Sequence, residues 1–394
     1  MLDKKRYFLL NFYHSMNDGF FDSIPVILSF IVLLYGYGEK EIGIIISLGA
    51  ALGTIASLGT MYVAKILSPF KIIGLIIFIY SICFLLASFF SNFIIISLFF
   101  IISMIGYAIF HNICFSYLTL NTPRQKLGKI LSDFTAIGDI GRIPFIAIAG
   151  YIAALTLFSI SGWKIVCFIF SILGIISIIF IFFQQETKAA KNAKQKSSTL
   201  PSFSILKSKP VFLTVLSSAL NAFSNEKIFT FLPLLLIFKG LDPKIIGTFA
   251  VGFTVGSFLG KLACGRLLDM FGPKSVFITA EILLSFFLIF IIITNDLYFI
   301  VAISFLIGVL TKGTVPVIQA IITIPFQKIG QYDEIFSINS FIRGIINMIT
   351  PILFGYIASL WNINTVYIIM AIISLLSVVP LISFHDNDII EEAA

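Results

Sequence analysis

Near the start of the chain, His14, Asp18 and Asp22 stand at i, i+4 and i+8, with Asn17 beside them. On an α-helix that spacing lines one face. Imidazole changes charge near neutrality, so a histidine one turn from an acid is a natural proton relay. A second polar group, Asn221, Asn225 and Glu226 with Lys227, lies some two hundred residues further on. Adjacent Glu226 and Lys227 point about 100° apart on a regular helix, so Lys227 is expected to meet a different acid, Asp18 or Asp22. Asp139 and Arg142, at i, i+3, read as a local structural ion pair. Asn339, Arg343 and Asn347 form another one-sided stripe, and Lys312 and Gln319, seven apart, share roughly one face. The chemistry on offer is proton transfer and recognition of a polar solute. Asp18 and Glu226 are the expected proton-coupling carboxylates, assisted by His14 and Asp22. Asn17, His111, Asn225, Lys227, Lys312, Gln319, Arg343 and Asn347 are the expected substrate contacts. His14, Asp18, Asp22 and His111 also offer imidazole and carboxylate ligands that suit a transition metal. With no ligand-spacing motif or histidine-rich loop, no resident metal is expected and metal transport is only an alternative. No catalytic nucleophile is visible, and no Gly-x-x-x-x-Gly-Lys-Ser/Thr loop appears, so ATP drive is not expected and the proton gradient stands in place of a cofactor.

These groups are embedded in sequence that belongs in a bilayer. The chain of 394 residues is 59% hydrophobic and 11% charged, with 44 phenylalanines, whereas globular chains run to about 25% charged. That composition excludes an ordinary soluble protein. A charged side chain at a bilayer centre costs roughly 2.5–3.5 kcal/mol on insertion scales, so buried ionisable groups are expected to have partners and functions. The four cysteines, scattered through apolar segments without metal or redox spacing, read as small hydrophobes. The first apolar stretch is long and interrupted by Asn17, Asp18 and Asp22, which suits a span rather than a cleavable signal.

Apolar periodicity places spans near 7–35, 40–63, 70–90, 92–119, 128–157 and 163–184, then 211–238, 243–268, 275–294, 296–324, 332–360 and 363–384. The third, sixth and twelfth are almost uniformly apolar. Glu281 in the ninth span is expected at a helix end or interface. The net charge of +7 is distributed by topology, not clustered for nucleic acid. Lys4, Lys5, Arg6, the basic central loop (Lys188 to Lys209) and smaller groups such as Lys65/Lys71 and Arg266/Lys274 fall on one side. The other side carries only Lys40, Lys164, Lys239 and Lys244. By the positive-inside rule both termini are cytoplasmic, and anionic lipid is an expected contact.

The two halves repeat. Asn17-Asp18 precedes Pro25 as Asn225-Glu226 precedes Pro233; Pro123–Gly128 recurs as Pro325–Gly330, and Gly150–Leu155 as Gly355–Leu360. The expected organisation is an all-α membrane protein of twelve helices, with a six-helix bundle over 1–184, a cytoplasmic linker over 185–210 and a second bundle over 211–394.

This six-plus-six plan with a basic middle loop resembles the major facilitator superfamily. Gly265-Arg266-Leu-Leu-Asp269-Met-Phe-Gly272-Pro-Lys274 is similar to the cytoplasmic gate loop of that family, where an acid and basic groups clasp helix ends in one conformation. The first-half counterpart, Tyr62 to Lys71, lacks the acid and the glycines. His14-x-x-Asn17-Asp18 and Phe110-His111 resemble the fosmidomycin-resistance branch, although Asn112 stands where that branch has proline and Ser116 where many proton-coupled members have arginine. Gly138, Gly141 and Pro144 resemble a loose form of the antiporter motif of the fifth span. The resemblance implies a monomeric secondary transporter in the cell inner membrane, exporting a small organic solute by proton antiport. Proton-coupled uptake of a carboxylate-bearing nutrient or siderophore-like molecule is the rival, and a non-transporting receptor a further one.

Overall fold

The computed structural model describes residues 3–122, 124–157, 159–182, 203–326 and 333–384. Most of the linker expected over 185–210 therefore lies outside the described residues, as do Pro123, residues 327–330 of the second repeat and the tail from 385. Within the linker's end, Phe203–Lys207 forms a short 3-10 helix that buries Ile205.

The described chain is helical: α1 (Lys4–Leu34), α2 (Glu39–Leu58), α3 (Thr60–Ile66), α4 (Pro69–Phe89), α5 (Phe93–Ser103), α6 (Gly106–Asn121), α7 (Arg124–Gly141), α8 (Ile143–Ala153), α9 (Gly162–Phe182), α10 (Lys209–Asn225), α11 (Ile228–Phe238), α12 (Ile246–Phe271), α13 (Pro273–Ile293), α14 (Leu297–Thr323), α15 (Asp333–Leu360) and α16 (Ile363–Ile382). A two-stranded antiparallel hairpin, Thr156–Leu157 with Ile160–Ser161, turns the chain between α8 and α9. Eleven helical stretches are long and apolar enough to cross a membrane. The twelfth expected span, the seventh in order, is not among them because it is broken into α10 and α11 at Glu226–Lys227. The fifth span is also interrupted, where α7 gives way to α8. Pro144 in the first turn of α8 has no N–H for the carbonyl one turn back, which ends the regular ladder there.

The helices form two compact units. One contains Met1–Gln195 and Leu236–Val251; the other contains Lys196–Leu235 and Gly252–Ala394. In the first, α1 is the central element and packs on α7, α8, α2 and α6. The face of α7 toward α1 is built for close approach: a Cβ on Gly138 would fall 2.3 Å from His14 Cε1 and one on Gly141 would overlap Ser15 Oγ. Only glycine lets the two backbones come this near. Leu236–Val251 joins this unit where Gly247 meets Gly150 and Tyr151 Oη lies 2.9 Å from Thr248 Oγ1. In the second unit, α10 packs on α16, α15 and α14, and α13 packs on α14 and α16. Many large apolar side chains stay exposed, among them Phe78, Phe180, Phe286 and Leu376, as helices facing lipid require. All four cysteines are free and buried.

Candidate functional site

The first unit gathers its polar groups around Asp18. His14, one turn earlier on α1, brings Nε2 to 3.2 Å from Asp18 Oδ2. His111 on α6 brings its own Nε2 to 3.4 Å from Asp18 Oδ1. Asn17 donates from Nδ2 to the same Oδ1 at 3.0 Å. The other nitrogen of each ring is engaged by backbone: His14 Nδ1 lies 3.0 Å from the Phe134 carbonyl oxygen, and His111 Nδ1 lies 3.0 Å from that of Tyr107. A carbonyl only accepts, so both Nδ1 atoms must carry hydrogen. In a neutral ring Nε2 would then present a lone pair. Two lone pairs cannot face a carboxylate with nothing between them; the arrangement calls for positive charge, as protons on Nε2 or as a bound cation. Among the described residues Asp18 has no lysine or arginine within 4 Å, so no other cationic side chain supplies that charge.

Aromatic packing fixes these rings. His14 stacks on Phe134 with centroids 4.1 Å apart and planes at 16°, and meets His111 edge-on at 5.2 Å. His14 and Asp18 are buried, while the His111 side chain keeps 21% of its surface.

One turn along α1, Asp22 is bound by Arg142, whose Nη1 lies 2.5 Å from Oδ2. Arg142 Nη2 also reaches Asp139 Oδ1 at 3.1 Å. The i, i+3 pair expected from sequence is present, but the same guanidinium ties α1 to the break between α7 and α8.

The second unit is organised around Arg343 on α15. Its Nη2 lies 2.5 Å from Glu226 Oε1, while Nη1 donates to the Ser218 carbonyl and hydroxyl at 3.2 Å and to Asn221 Oδ1 at 3.3 Å. Glu226 sits at the break in the seventh span as the C-terminal cap of α10, and its carboxylate meets α15 through Arg343. Lys227 and Lys312 add positive potential at Glu226. Lys312 and Gln319 are half-buried on α14 without a hydrogen bond to another described residue. Asn339 and the Asn347 side-chain oxygen are buried without a partner among the described residues.

Glu281 departs from its sequence expectation. It is neither at a helix end nor at an interface: it lies within α13 with no exposed surface. Oε1 accepts from Asn221 Nδ2 at 2.8 Å and Asn225 Nδ2 at 3.0 Å, and Oε2 lies 2.6 Å from Ser374 Oγ. The ninth span reads as apolar because one polar residue in α13 leaves the hydropathy unchanged; the signal lay in the asparagines of α10, which needed an acceptor. The repeat symmetry breaks here, since Asn17 bonds its neighbour Asp18 whereas Asn225 bonds Glu281.

The gate loop is mostly helical. Gly265, Arg266 and Asp269 belong to the last turns of α12, Gly272 turns the chain with φ +77°, and Lys274 in α13 donates from Nζ to the Phe384 carbonyl at 2.7 Å. Among the described residues, neither Arg266 nor Asp269 has an ion-pair partner.

Ionisable clusters enclosed in bundles of membrane-crossing helices mark a polytopic transport protein. The family model of the Major Facilitator Superfamily matches residues 8–245 and 214–389, and the chain belongs to that family. It is a multi-pass membrane transporter and not an enzyme. Among solved structures it is similar to a point mutant of the nucleoside transporter NupG (TM-score 0.79, 16% identity, 96% of this chain and 99% of that one). A bacterial homolog of the human lysosomal transporter Spinster, inward-facing and occupied, aligns at TM-score 0.71 and 15% identity over 96% and 94%. A D-xylose-proton symporter aligns at 0.73 and 12% over 96% and 97%. These likenesses define the fold. No curated protein matches the chain.

Proposed function

We propose that the protein is a proton-coupled secondary transporter that exports a small organic solute by antiport. One observation carries the reading: two imidazole Nε2 atoms converge on the buried Asp18 carboxylate while both Nδ1 atoms are held by backbone carbonyls. Such a triad changes charge by taking up or releasing protons, and His111 gives it access to solvent. In the other unit, a proton or a cationic solute group on Glu226 would release Arg343 to an anionic group. Asn17, Asn225, Lys227, Lys312, Gln319 and Asn347 would complete solute contacts. Export follows the fosmidomycin-resistance-like pattern of His14, Asn17, Asp18, Phe110 and His111. We place the protein as a monomer in the inner membrane; the lysine and arginine distribution supports cytoplasmic termini.

The test is solute flux in proteoliposomes across a metabolite and drug panel, with and without an imposed pH gradient. Export coupling requires solute to move against proton flow, and Asp18→Asn to abolish the gradient dependence while sparing downhill exchange. Flux that ignores the gradient would remove proton coupling; solute moving with protons would make the protein a symporter; no flux for any bound ligand would end the transport reading. The same triad favours a second reading, recognition of a divalent transition-metal ion by His14, Asp18 and His111, whose ligand atoms lie within 4.8 Å of one another.

A further inference from the structure

We propose that Glu281 is a second proton-binding site, its proton on Oε2, linked to Glu226 through Asn221 and Arg343. The assignment rests on burial without a basic partner and on the hydrogen bonds around the carboxyl. Ser374 has one hydroxyl hydrogen, yet its Oγ contacts two oxygens of Glu281: the backbone carbonyl at 2.9 Å and Oε2 at 2.6 Å. The carbonyl can only accept. When Ser374 donates to it, the hydrogen between Oγ and Oε2 must come from Glu281. Oε1, accepting from both asparagine amides, behaves as the carbonyl oxygen of a carboxylic acid with two lone pairs filled. The neutral acid therefore satisfies every polar atom in the cluster. An ionised Glu281 would place a full charge inside α13 with no exposed surface and no basic group within 4 Å among the described residues. Burial of an uncompensated charge is the costlier state.

The groups facing Glu281 are Asn221 and Asn225 from α10 and Ser374 and Ser377 from α16, Ser377 also donating to the Ser374 carbonyl. Beyond them, Thr314 of α14 lies 3.4 Å from Asn221 Nδ2. The charged group reached through this shell is Arg343, which donates to Asn221 Oδ1 and pairs with Glu226. One guanidinium thus stands between two acids, directly on Glu226 and one amide away from Glu281. When Glu226 is neutralised, Arg343 loses its carboxylate, and loss of the Glu281 proton restores a negative charge on the far side of Asn221. The linkage rests on proton coupling as proposed above; the protonation of Glu281 does not.

Infrared difference spectroscopy of the full-length protein in lipid tests this. A carboxylic-acid C=O band is expected at neutral pH, removed by Glu281→Gln, shifted by Ser374→Ala and kept in Asp18→Asn. Glu226→Gln is expected to weaken the band, because the freed Arg343 favours ionised Glu281. Glutamine preserves the donor to Ser374, so E281Q should fold, and a thermal unfolding midpoint checks it. In flux assays E281Q is expected to lower the proton-to-solute ratio by a single proton, cutting limiting accumulation about tenfold across a one-unit pH gradient. A band that survives E281Q overturns the proton assignment, and a band indifferent to E226Q overturns the linkage. A band lost in E281Q alongside gradient-independent wild-type flux would keep the protonated site and refute the proton-coupled reading together with the linkage.

Discussion

Gly138→Ala should damage transport far more than stability, although it touches no polar atom. A Cβ there would lie 2.3 Å from His14 Cε1, 2.5 Å from Nδ1 and 2.7 Å from Nε2. Ordinary carbon contacts need about 3.5–4.0 Å, so ring or helix must yield by about 1 Å. The ring has little room, stacked on Phe134 at 4.1 Å and tied to the Phe134 carbonyl at 3.0 Å. A shift of that size takes His14 Nε2 from 3.2 Å to beyond hydrogen-bond reach of Asp18. Overpacking costs about 1–3 kcal/mol, and alanine returns about 1 kcal/mol of helix propensity, so the net destabilisation is about 0–2 kcal/mol. A misplaced coupling group, by contrast, costs on the order of 10–100-fold in rate. The assay is gradient-driven flux in proteoliposomes beside thermal unfolding in detergent. Gly252→Ala is the control: nothing lies within 4 Å of its Cβ position, so flux should hold and stability rise by up to about 1 kcal/mol. Wild-type flux in G138A would refute the claim that α7 positions His14.

Further outcomes follow from the ion pairs. Glu226→Gln should destabilise the second unit by about 3 kcal/mol by leaving Arg343 without a carboxylate, and adding Arg343→Gln should recover most of the loss; a double-mutant cycle of unfolding midpoints reads the coupling. Arg142→Lys should weaken the junction of α1 with α7 and α8, because an ammonium cannot present a planar fork to Asp22 and Asp139 together, and proteolysis or thermal unfolding would register it. If the triad holds a metal ion, Co²⁺ added to purified protein should give visible ligand-field bands lost in His14→Ala and His111→Ala; bands retained in both would exclude these ligands.

Much of the architecture was legible before any coordinate. Hydropathy marked the spans, and local spacing put His14, Asp18 and Asp22 on one helix face and paired Asp139 with Arg142. The breaks were less visible. Pro144 could announce one, but nothing in Glu226-Lys227 forbids a continuous helix, and the pairing of Glu226 with Arg343 at that break is made only by the tertiary structure. The burial of Glu281 was not legible, because a single acid in an apolar helix carries no local sign of whether lipid, water or protein surrounds it.

Amino-acid order by itself determined the membrane-crossing helices, the duplicated halves and the family, because length, hydropathy and i, i+4 spacing are properties of one segment at a time. Tertiary structure alone decided the partners: His111 for Asp18, Arg142 for Asp22, Arg343 for Glu226, and Asn221, Asn225 and Ser374 for Glu281. Pairing of buried charges depends on helix rotation and on approaches of a few ångströms, set here by residues such as Gly138 and Gly141. A charge that cannot be solvated takes whichever partner that packing brings within reach.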